Sequence, residues 1–136
     1  GQTLQELIRE RGTLPVEDTL RIAHQIASSL LAAHQKGIVH RDVKPSNILI
    51  ENGVQRVKIA DFGLARVALE ASGLTSHGQT VGTPGYMSPE QVEGLAVDGR
   101  ADLFSLGCVI YAMLTGHTPF RAGNTLAVLQ AVAKQP

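Results

Sequence analysis

The chain has 136 residues, 43% of them apolar, which is about one domain's length and enough to bury a single core. Twelve basic residues balance twelve acidic ones, leaving no electrostatic footprint for nucleic acid or an anionic lipid surface. No apolar run approaches the roughly 18 residues of a membrane span, and a single cysteine, Cys108, excludes an internal disulfide and fits a reducing compartment. The chain opens on Gly-Gln-Thr-Leu, with neither an initiator methionine nor a basic-then-apolar leader, so a piece of a longer protein is expected.

Thr3-Leu4-Gln5-Glu6 has the form of a capping box, and Leu4, Leu7 and Ile8 follow on one face before Gly12, which predicts a short helix over 3–11. Pro15 then suits a first helical turn, Glu17 and Asp18 complement the positive end, and Lys36-Gly37 closes the far end. Between them Ile22, Ile26 and Leu30 recur every four residues with Ala23, Ala27 and Leu31 alongside, predicting a helix buried on most of its surface. Ile48-Leu49-Ile50 and Val57-Lys58-Ile59-Ala60 are short β-prone runs around Asn52-Gly53, a hairpin signal. From Gly63 to about Met87 no helical or strand period is present, and stretches of that length without secondary structure belong to functional or disordered segments. Helical character returns over Asp98–Leu114, ending near Gly116, and over Thr125–Lys134 after the cap residue Asn124. The expected fold class is α+β: mainly helical, with a small β-hairpin and polar residues concentrated in the middle.

The central stretch His40-Arg41-Asp42-Val43-Lys44-Pro45-Ser46-Asn47 carries a chemistry that can be written residue by residue. Phosphoryl transfer needs a carboxylate to orient the attacking hydroxyl and accept its proton, oxygen ligands for Mg²⁺, and a cation near the γ-phosphate. Asp42 suits the base, Asn47 and Asp61 the metal ligands, and Lys44 the cation. A hairpin with Asn47 at its entry and Asp61 at its exit would bring these groups together. Any one of these residues alone is more often an ordinary turn residue; the combination at this spacing is what points to catalysis.

Together with Asp61-Phe62-Gly63, that stretch resembles the catalytic and magnesium loops of eukaryotic-type protein kinases. Gly82-Thr83-Pro84-Gly85-Tyr86-Met87-Ser88-Pro89-Glu90 is similar to the end of their activation segment, with Ser88 where alanine is more usual. Asp102-Leu103-Phe104-Ser105-Leu106-Gly107 resembles the buried helix that follows, with Phe104 where tryptophan is frequent, and Leu114–Phe120 resembles the next turn. The order and spacing of these motifs cover essentially the whole chain, residues 1–136. Lys44 and Thr83 resemble the serine/threonine branch, and Met87-Ser88-Pro89-Glu90-Gln91 is similar to bacterial members.

The resemblance implies a kinase large lobe that uses ATP and Mg²⁺ to phosphorylate serine or threonine in proteins, with the kinase region in the cytoplasm and a full-length protein that could be membrane-anchored. Asp42 is then the base, Lys44 steadies the transferring phosphate, Asn47 and Asp61 hold magnesium, and Thr83 helps place the acceptor. Arg41 next to the base implies activation by phosphate on Thr75, Ser76 or Thr80. Structural roles are implied for His40 in the core, Phe62 and Gly63 beside Asp61, Glu90 pairing with an arginine beyond Pro136, and Asp102 accepting hydrogen bonds from the catalytic-loop backbone. His24, His34, His77 and His117 show no convincing metal spacing and read as ordinary surface or packing residues, and Cys108 reads as a small core residue.

A complete kinase also has a strand-rich small lobe with a glycine-rich loop, a strand lysine and a helical glutamate. Before His40 the glycines are Gly1, Gly12 and Gly37 and the only lysine is Lys36, so that β lobe is not found here and is expected in cis elsewhere in the parent chain. The 136 residues alone are expected to transfer no phosphate. Two rival readings are a pseudokinase or scaffold that keeps this fold, and a small-molecule kinase of the aminoglycoside-phosphotransferase type, in which the Thr83–Glu90 docking segment would be out of place.

Overall fold

The computed structural model describes residues 1–51, 56–60 and 84–120. The Asn52-Gly53 turn, the stretch 63–83 and the expected helix over 125–134 lie outside the described residues.

Strand β1 (Gln2–Thr3) leads directly into helix α1 (Leu4–Arg11). Thr3 is extended, its hydroxyl accepts the Glu6 N–H at 3.1 Å, and Glu6 Oε1 accepts the Thr3 N–H at 3.0 Å, completing the capping box. These bonds to the Thr3 backbone and hydroxyl hold the Glu6 carboxyl below its usual range. Helix α2 (Val16–Gln35) follows Pro15, with Glu17 and Asp18 in its first turn. After the loop come β2 (Ile48–Glu51) and β3 (Arg56–Ile59), then the short helix α3 (Pro89–Val92) and the long helix α4 (Gly99–Thr115). The Asp98 carboxylate caps α4 by accepting the Arg100 N–H at 2.9 Å. Gly116 ends it at φ 86°, and a Cβ there would lie 2.7 Å from the Gly12 carbonyl oxygen, so both conformation and space favour glycine.

Leu4, Leu7 and Ile8 of α1, Ile22, Ile26 and Leu30 of α2, Val43, Ile48, Ile50, Val57, and Leu106, Val109, Ala112 and Met113 of α4 form one core cluster. Each large side chain buried in this way contributes roughly 1.5–3 kcal/mol. In the sheet, Ile48 faces Ile59 and Ile50 faces Val57 across an antiparallel ladder; Ile48, Ile50 and Val57 are buried, while Leu49 and its partner Lys58 are exposed. Gln25 of α2 accepts the Val57 N–H at 2.9 Å and ties the sheet to the central helix.

Two features differ from the sequence reading. The hairpin is part of a three-stranded sheet ordered β1-β2-β3, because the extended backbone that makes Thr3 a helix cap also pairs with Leu49. A two-residue strand has no period to read. Helix α2 is also less buried than its apolar content suggested: α4 and β3 pack against it, while Val16, Leu20 and Leu31 stay at least 60% exposed.

Candidate active site

The loop from His40 to Asn47 connects α2 to β2, and its backbone departs from ordinary geometry at Arg41, which has φ 74°. A non-glycine residue there is destabilised by roughly 1–2 kcal/mol and persists only when its surroundings hold it. Here they do. The fully buried Asp102 carboxylate of α4 accepts the His40 N–H on Oδ2 and the Arg41 N–H on Oδ1, both at 2.8 Å. On the other side of the residue, Gln91 of α3 donates its Nε2–H to the Arg41 carbonyl at 2.8 Å.

His40 is fully buried and its ring is polarised by two backbone contacts. Nδ1 accepts the Asp42 N–H at 3.0 Å, so the ring proton sits on Nε2 and is donated to the Ala60 carbonyl at 2.7 Å. Ala60 in turn donates its N–H to the Asn47 carbonyl at 2.7 Å. The end of β3 is thereby fastened to both ends of the loop.

Asp42 and Asn47 come together across a 3-10 turn at Pro45–Asn47. Asn47 Nδ2 donates to the Asp42 carbonyl at 2.8 Å and to its carboxylate Oδ2 at 3.0 Å. With its nitrogen engaged in this way, Asn47 keeps its Oδ1 as a neutral oxygen donor. The Lys44 ammonium lies 3.5 Å from Asp42 Oδ1, an ion pair whose geometry falls short of a hydrogen bond, and Oδ1 is buried with no hydrogen-bond partner among the described residues. A carboxylate with one oxygen held, the other retaining its acceptor capacity and a cation alongside is suited to taking a proton from a hydroxyl next to an anionic group.

Of the remaining residues named from the sequence, Asp61, Phe62, Gly63, Thr75, Ser76, Thr80 and Thr83 lie outside the described residues. Glu90 is in α3 and half-buried, following Ser88, which is fully buried and caps that helix. The Nε of Arg41 is buried and makes no hydrogen bond among the described residues.

Two residues escaped the sequence reading. His34, treated there as an ordinary surface or packing histidine, places Nε2 2.8 Å from Asp102 Oδ2. Its ring lies over Gly99, where an added Cβ would sit 2.8 Å from Nδ1. From the sequence Gln91 is only part of a bacterial-like motif, although the Ser88-x-x-Gln91 pattern, a capping box in the structure, is legible there.

The model of the protein kinase domain matches residues 1–135. The serine/threonine-protein kinase PknL of Mycobacterium tuberculosis is 47% identical over 94% of the chain, which covers 32% of that protein. The serine/threonine-protein kinase PknB of Mycobacterium leprae is 40% identical over the whole chain, covering 22% of it. A probable serine/threonine-protein kinase PknB of Bifidobacterium longum is 44% identical over 94% of the chain, covering 19% of it. The chain thus spans about a third or less of the length of these bacterial relatives. A family match over nearly every residue, on a helical core with a small sheet and a braced His40–Asn47 loop, establishes that the chain belongs to the protein kinase domain family.

Proposed function

We propose that these residues form most of the large lobe of a serine/threonine protein kinase, completed by a small lobe in the same longer chain. That chain would transfer the γ-phosphate of ATP to serine or threonine hydroxyls of proteins. The observation that carries the reading is the Asp42–Asn47–Lys44 arrangement: a carboxylate gripped by an amide at 3.0 Å and accompanied by an ammonium at 3.5 Å.

The acceptor oxygen forms a bond to the γ-phosphorus as the bond to the β-phosphate bridging oxygen breaks. The hydroxyl proton passes to Asp42, and ADP leaves. Lys44 offsets charge on the transferring group. Asn47 Oδ1, with Asp61, fits a hard-cation site, and bound Mg²⁺ would supply charge neutralisation of the phosphates. Thr83 helps to place the acceptor hydroxyl. A triphosphate donor argues for reaction in the cytoplasm, and among the described residues no helix is long and apolar enough to cross a membrane.

Arg41 supplies the regulatory part of the reading. A buried guanidinium nitrogen without a hydrogen bond among the described residues is a ready partner for phosphate on Thr75, Ser76 or Thr80. The decisive experiment is a radiolabelled-ATP assay of the full-length protein with a generic basic protein, beside its Asp42→Asn variant. Incorporation into serine or threonine that disappears in the variant supports the reading; equal incorporation by both overturns it.

A further inference from the structure

The peptide unit that enters Asp42 is held at both of its polar atoms by side chains. Its N–H, belonging to Asp42, goes to His40 Nδ1 at 3.0 Å, and its carbonyl, belonging to Arg41, accepts from Gln91 Nε2 at 2.8 Å. The next peptide is held too, since the Asp42 carbonyl accepts from Asn47 Nδ2 at 2.8 Å. His40 and Asn47 belong to the loop itself. Gln91 does not: it lies 50 residues away in α3.

Gln91 serves two partners with the two ends of one amide. Its Oε1 accepts the Ser88 N–H at 3.1 Å as half of the capping box, while Nε2 reaches the loop. The cap therefore orients the amide, and the amide orients the peptide in front of the base. Because Arg41 is in the left-handed region, that peptide has a lower-energy alternative once one of its anchors is lost.

From this arrangement we infer that Gln91 is a positioning residue for Asp42, coupling the folded state of α3 to the orientation of the base. The inference rests on Asp42 being the base. When α3 is formed, the Arg41–Asp42 peptide is clamped and the carboxylate faces the acceptor hydroxyl. When α3 is displaced, the clamp opens while Asn47 keeps its other contacts, so the loss falls on turnover and spares nucleotide affinity.

The test uses the full-length kinase with steady-state kinetics for ATP and a protein acceptor. Gln91→Glu keeps the oxygen that caps α3 and removes the donor to Arg41; Gln91→Met removes both; Ser88→Ala weakens the cap and leaves the donor. Expected are a kcat about tenfold lower in both Gln91 variants, with KM for ATP within about twofold and the melting temperature of Gln91→Glu close to the parent's, and a smaller loss of kcat in Ser88→Ala. Wild-type kcat in Gln91→Glu, with Asp42→Asn inactive, would overturn the inference and leave the kinase reading standing. So would a loss expressed only in KM for ATP, or a Ser88→Ala loss as large as that of Gln91→Glu. An Asp42→Asn variant as active as the parent would remove the base assignment and this inference with it.

Discussion

Replacing Asp102 by alanine is the most severe single change that the structure identifies outside the reacting groups. The carboxylate is fully buried and is the acceptor for the His40 and Arg41 amides, and His34 lies against it. Alanine leaves both amides unpaired in the interior, at about 1–3 kcal/mol each. Relaxation of the left-handed Arg41 returns about 1 kcal/mol of that, by the usual size of such strain. A net loss of roughly 3 kcal/mol follows, a large fraction of the 5–15 kcal/mol that holds a domain together. For a kinase-sized domain this corresponds to a fall in melting temperature of about 6 °C. Asp102→Asn should lose less, since one oxygen remains, but its NH₂ must face a backbone donor. The check is thermal unfolding of the full-length protein by calorimetry, with hydrogen exchange at residues 40 and 41. A loss below about 1 kcal/mol with unchanged exchange would refute the reasoning, because it would mean that the loop does not depend on this carboxylate.

Gly99→Ala should drive the His34 ring off Asp102, since the new Cβ would lie 2.8 Å from it. In a double-mutant cycle with His34→Ala the two changes should couple by about 1 kcal/mol, and simple additivity would contradict the contact. Cys108 is 4% exposed and burial pushes its thiol up to about 11. It should resist alkylation at pH 8 until the protein unfolds, and any stability it contributes holds below the ordinary thiol range and falls as the pH climbs towards 11. Rapid labelling of the native protein would count against its burial. Arg41→Ala should abolish the gain in kcat that follows phosphorylation of the activation segment, and an unchanged gain would remove the switch. The 136 residues expressed alone should incorporate no label from ATP, whereas clear turnover would show that the upstream lobe is dispensable.

Local signals were enough for much of this protein. The Thr3–Glu6 box, Pro15, Asp98 and Gly116 mark helix ends because capping acts within one turn, and the recurrence of Ile22, Ile26 and Leu30 marks a buried face because it follows the helical period. Asp42, Lys44 and Asn47 were legible for the same reason, since a six-residue span cannot scatter them. The kinase resemblance supplied Asp102's implied hydrogen bonds, which local physics alone would not have found.

The supports of the loop are a different matter. His34 and Gln91 reach their partners across 68 and 50 residues, and no sequence period or propensity encodes contacts of that range. They arise because the packing of α2 against α4 brings Asp102 beneath the loop and the placement of α3 brings Gln91 to its carbonyl. The pairing of β1 with β2 belongs with them, since two residues are too few for a strand signal and only the arriving partner makes them one. Which residues could do the chemistry was written along the chain; what holds Arg41 at φ 74°, next to the Asp42 carboxylate, exists only once the helices have packed.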